Sequence, residues 1–157
     1  MTRTRRILLT VATVAVVAFD VAVALAIMAR SRGVEAVAIP PASLIGVVAQ
    51  DADYAAAYYV PVSRLDFPSV AVIDAITLGG ANEVVGRAPT EVVYRGHGPG
   101  LDYHMGYLLR DAAGRRTLTV TTAVHYRNVL GRLYFALARV ADWSLLPLAM
   151  SQWASTT

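Results

Sequence analysis

The side chains able to do chemistry in this 157-residue chain are few. There is no cysteine, which excludes disulfides, thiolate metal sites and cysteine nucleophiles. All 14 basic residues are arginine, so Schiff-base lysine chemistry and a GK[ST] phosphate loop are absent as well. Three histidines remain. On an extended strand His104 shares a face with Asp102 two residues before it, and His125 falls on the opposite strand of the same hairpin. His97 sits in a glycine-rich turn, GHGPG. Asp102, His104 and His125 therefore form a potential cluster, but their spacing matches no known ligand pattern, and no metal is expected. The expected cofactor is likewise none. Ser43, Ser63 and Ser69 lack a GxSxG surround, and no GxGxxG is present.

Tyrosine carries the stronger pattern. There are eight tyrosines against three phenylalanines. Tyr58, Tyr103, Tyr107 and Tyr126 all fall on the apolar faces of alternating strands, where a ring with a polar tip suits either packing or a ligand. Asn128, Gly131, Arg132 and Tyr134 form a second set. Asn128 reads as a helix N-cap, and Gly131 as a close approach of that helix to a sheet. Arg132 has either an ion-pair role, with an acid such as Asp102, or a ligand role. Tyr134 either fills a core or binds. The candidate ligand-binding residues are thus Tyr58, Tyr103, Tyr107, Tyr126, Arg132 and Tyr134; no catalytic residue is assigned.

The elements that must position them follow from pattern. Asp53–Val60 reads as a strand closed by Pro61. Asp66–Leu78 reads as a short helix stopped by Gly79-Gly80. Glu83–Arg87 and Thr90–Arg95 are further strands. Leu101–Arg110 and Thr117–Tyr126 form a hairpin about Asp111–Gly114. From Asn128 a long helix begins. Val129, Leu130, Leu133, Tyr134 and Leu137 are expected to form its buried stripe, with a kink or break near Trp143 ahead of Pro147.

Ahead of these lies Ile7–Ala29, 23 residues with one charge, Asp20. At 1.5 Å per residue this run reaches about 34 Å, enough for a hydrocarbon core of roughly 30 Å. Arg3, Arg5 and Arg6 precede it, and Arg30 and Arg32 follow it. That bias places the N-terminus in the cytoplasm and the remainder outside. The expected partner is the membrane, spanned once; the alternative is secretion after signal cleavage. Five of the 14 arginines flank this run, and from Gly33 onward nine arginines face ten acids. The net charge of +3 is thus no basic patch, and nucleic acid is not an expected partner. The organisation expected is an anchor over 1–32, a linker over 33–41 and one domain over 42–157.

Several strings carry a resemblance. IPPASL (39–44), DADYAAAYYVP (51–61), GLDYHMGYLLRD (100–111) and the NxxGRxY core at Asn128, Gly131, Arg132 and Tyr134 resemble bacterial domain-of-unknown-function family 2867. LLPLAM (145–150) is similar to that family's closing helix, while Ala55-Ala56-Ala57 replace an acid usual in its first strand. The resemblance implies a START-like, helix-grip fold of the α+β class, a curved antiparallel sheet wrapped on one long C-terminal helix. Such a fold implies a cavity for a lipid or small hydrophobic ligand. Three functions are compatible: a ligand-binding module, a cyclase- or hydrolase-like enzyme using the same cavity, and a ligand-free interaction domain.

Overall fold

The protein is described from a computed structural model, over residues 19–28, 30, 33–62, 83–112 and 115–154. Residues 19–28 are helical (α1). Strand β1 is Glu35–Val37, helix α2 is Leu44–Ala49 and β2 is Tyr54–Val62. Then come β3 (Glu83–Ala88), β4 (Glu91–Gly98), β5 (Leu101–Ala112), β6 (Arg115–Tyr126) and helix α3 (Val129–Ala154). The strands form one sheet in the order β1-β2-β6-β5-β4-β3, and every neighbouring pair is antiparallel.

Strand alternation divides this sheet into two unlike faces. Register places Tyr103 opposite Val124, Tyr107 opposite Val120, and Tyr58 opposite the other side of Val120. The apolar strings read from the sequence therefore do share one face. Val60, Leu118 and Val120 are buried there with Tyr58, Tyr94 and Tyr107. The other face carries Thr117, Thr119 and Thr121 of β6 and a recess made by Val93, Gly106 and Ala123. Ile45 of α2 fills it, fully buried. A Cβ on Gly106 would collide with the Ile45 side chain, so the glycine is what admits the helix.

Two devices hold that short helix, one local and one long-range. Ser43 Oγ accepts the Gly46 N–H at 3.0 Å as N-cap. The buried Glu91 carboxylate, from β4, accepts the N–H of Leu44 at 2.8 Å and of Ile45 at 3.0 Å. A six-residue helix has too few internal hydrogen bonds to persist alone, and this long-range cap compensates.

Several expectations are corrected. The sheet is not wrapped on a long C-terminal helix. α3 is 26 residues long but lies chiefly along β2 and β6, at one side of the sheet, and α2 covers part of the opposite face. The expected stripe of α3 is inverted: Val129, Leu130, Leu133 and Tyr134 are exposed, while Gly131 and Phe135 are buried and Ala138 is half-buried. The helix is apolar on every side, so residue type alone does not select a face. It also runs through Pro147 without a break near Trp143. Part of the expected linker is β1, paired to β2, and β2 continues past Pro61 to Val62.

The expected helix Asp66–Leu78, Ser63, Ser69 and residues 7–18 and 29 of the apolar N-terminal run lie outside the described residues. Among the described residues no helix is long and apolar enough to cross a membrane.

Candidate functional site

The junction of α3 with the tyrosine-bearing face is where polar chemistry enters an otherwise apolar contact. α3 starts at Asn128, whose side-chain oxygen accepts the Gly131 N–H at 3.1 Å. Gly131 lies against the β4–β5 turn, where Gly100 has a φ of 72°. One turn on, Phe135 packs 4.9 Å from the Tyr54 ring and 6.0 Å from the Tyr126 ring. Two turns further the same flank presents Asp142. Tyr54 Oη donates to Asp142 Oδ2 at 2.8 Å, and Thr122 Oγ1 donates to Asp142 Oδ1 at 2.9 Å.

This carboxyl is held above its ordinary value. Desolvation raises it and outweighs the hydrogen bonds from Tyr54 and Thr122 and the Arg139 charge, which lower it. Tyr54 is pushed up in turn, by burial first and by the Asp142 charge and hydrogen bond next. Tyr58 is raised by burial and by Asp142. Arg139 sits over the Tyr54 ring, 5.2 Å from its centroid. Each carboxylate oxygen has one protein donor, which leaves lone pairs to accept more. Asp142 and Tyr54 were not among the expected site residues. Asp142 is one acid in an apolar helix, and nothing in its neighbourhood of sequence places it against Thr122.

The six expected residues divide into three groups. Tyr58 and Tyr107 are buried in the core, and Tyr107 meets Tyr94 edge-on at 6.0 Å. Tyr103 and Tyr126 are partly buried beside Leu101, Val124 and Phe135. Arg132 and Tyr134 are exposed on α3. Arg132 does not pair with Asp102; its guanidinium lies 5.8 Å from the Tyr126 ring centroid. The structure thus joins Tyr54, Tyr58 and Asp142 at one place and leaves Tyr134 outside it.

A second polar group occupies the opposite face of the sheet. Register aligns His97, Asp102 and His125 across β4, β5 and β6, with Arg95 beside His104 one step along. Arg127 grips Asp102 bidentately, both contacts at 2.6 Å, and His97 Nδ1 also touches Asp102 Oδ1. Burial pushes the Asp102 carboxyl up, but hydrogen bonds from Arg127 and His97 prevail and hold it below its ordinary value. His104 and His125 meet edge-on at 5.7 Å. His104 is pushed down by burial and by the neighbouring His125 and Arg95. The sequence pairing of Asp102, His104 and His125 is therefore realised, with Arg127 as the unforeseen member. Among the described residues, no group of three His, Cys, Asp or Glu residues is arranged to hold a metal ion.

Comparison with protein-family models gives no match, and comparison with curated proteins gives none either.

Proposed function

We propose that this chain is a binding module for a small apolar molecule with a polar head, held between the tyrosine-bearing face of the sheet and α3, at a membrane surface. The observation that carries the reading is Asp142. A carboxyl partly buried among aromatic rings, with two neutral hydroxyl donors, destabilises the fold when ionised. A packing role alone is served better by leucine, whereas a ligand hydroxyl or amine finds free acceptor lone pairs there. Tyr54 and Tyr58 supply apolar area beside it, and Tyr103 and Tyr126 extend that area around Phe135. The apolar run Ile7–Ala29 and its flanking arginines support placement at a membrane, with the folded part on the outer side.

Native mass spectrometry of the full chain, extracted from membranes, tests this against Asp142→Leu. Lipid bound loosely around the N-terminal run is common to both proteins. A discrete adduct retained by the parent chain and lost in Asp142→Leu supports the reading and gives the ligand mass. Identical spectra from two folded proteins overturn it.

A further inference from the structure

The other flank of α3 is unlike a solvent-facing helix. Val129, Leu130, Leu133 and Tyr134 are exposed by 71%, 60%, 63% and 46%. A helix facing water places polar groups there. Arg127 is paired with Asp102, which leaves Arg132 and Arg139 as the charged residues of this half of α3, and no acid occurs in the sequence between Arg127 and Ala141. Arg132 and Arg139 lie over tyrosine rings, which leaves their charge in place.

Aliphatic side chains with a tyrosine and two arginines, Arg132 and Arg139, on the same helix are the composition of a helix lying in a lipid interface. The apolar members enter the headgroup boundary, and the guanidinium groups meet lipid phosphates. A nucleic acid would match the arginines but not the leucines. A purely apolar protein groove would match the leucines but not the arginines. We propose that the first half of α3 docks on an anionic lipid surface. The proposal rests on the membrane placement above. A domain beginning at β1, six residues past Ala29, is held within roughly 20 Å of wherever that run ends.

The absence of native cysteine makes the test direct. An environment-sensitive fluorophore is attached to Leu133→Cys, and separately to Val47→Cys on α2, which is 65% exposed on the opposite side of the sheet. Leu130→Cys is a second position on the patch. Each full chain is reconstituted into phosphatidylcholine discs with and without phosphatidylglycerol. The expected result is a blue shift and a several-fold intensity gain at positions 133 and 130 with phosphatidylglycerol, and a water-like signal at 47 throughout. Water-like signals at 130 and 133 in discs that carry the chain overturn the docking. Equal gains in both discs overturn the anionic requirement. A chain that does not co-elute with the discs overturns the membrane placement itself, and the docking with it.

Discussion

Gly131, in the first turn of α3, lies so close to Gly100 that a Cβ on Gly131 would overlap the Gly100 carbonyl oxygen. Arg127 N–H donates to that same oxygen at 2.9 Å, and a Cβ on Gly100 would in turn strike the Asn128 cap. The helix start and the β4–β5 turn are thus locked to one another through backbone contact. Alanine normally favours a helix over glycine by about 1 kcal/mol. Here the sign reverses, because the obstacle is backbone and cannot rotate away. Gly131→Ala is expected to destabilise the protein by about 1–3 kcal/mol, read as a lowered urea midpoint. An unchanged or raised midpoint contradicts the close packing.

Glu91 is the tertiary support of α2. Glu91→Ala removes both acceptors from the buried N–H groups of Leu44 and Ile45. A loss of about 2–3 kcal/mol is expected, with Glu91→Gln losing less because one oxygen remains. Hydrogen exchange at the amides of Leu44 and Ile45 should accelerate well before that of β5 and β6. Uniform acceleration across the sheet would mean that Glu91 supports the whole fold and not this helix.

Asp142 gives a pH signature. Its folded value is raised above the ordinary 3.8, so between the two values the folded protein holds more protons than the unfolded chain. Stability from this group is therefore greatest at low pH and declines as pH rises through that window. Asp142→Asn removes this slope while keeping an acceptor for Tyr54. The difference at neutral pH is expected on the order of 1 kcal/mol in favour of Asn. Parallel urea-midpoint profiles for the two proteins would refute the raised carboxyl.

Asp102 should behave with the opposite sign. Its carboxyl is held below the ordinary value by Arg127 and His97, so its contribution is present at neutral pH and is lost as pH falls through the lowered value. The Arg127 side chain is 54% exposed, which limits the pair to about 1 kcal/mol or less. Asp102→Asn should lose that amount at neutral pH and in low salt, and progressively less as salt rises. A salt-independent loss would point to packing in place of the ion pair.

Legible in the residues alone were strands β2 to β6, the capped start of α3 and the pairing of the histidine corner, but not β1, which falls in the expected linker. Alternation at Leu101–Arg110 and Thr117–Tyr126 specifies which residues share a face, because a one-residue slip would turn the apolar set into water. Asn128 and Gly131 were legible because capping and close approach need those residue types locally. The buried line of α3 was not legible. Gly131, Phe135, Ala138 and Asp142 are no more apolar than Val129, Leu130, Leu133 and Tyr134 on the other flank. Only contact with β2 and β6 decided between them. α2 was missed for a related reason. Its sequence signal is a single N-cap serine, Ser43, and its stability comes from Glu91, 46 residues away from Ile45. The meeting of Asp142 with Tyr54, 88 residues apart, likewise has no local code. Patterns along the chain record which groups need water and which do not; which buried group meets which is settled only when the elements pack.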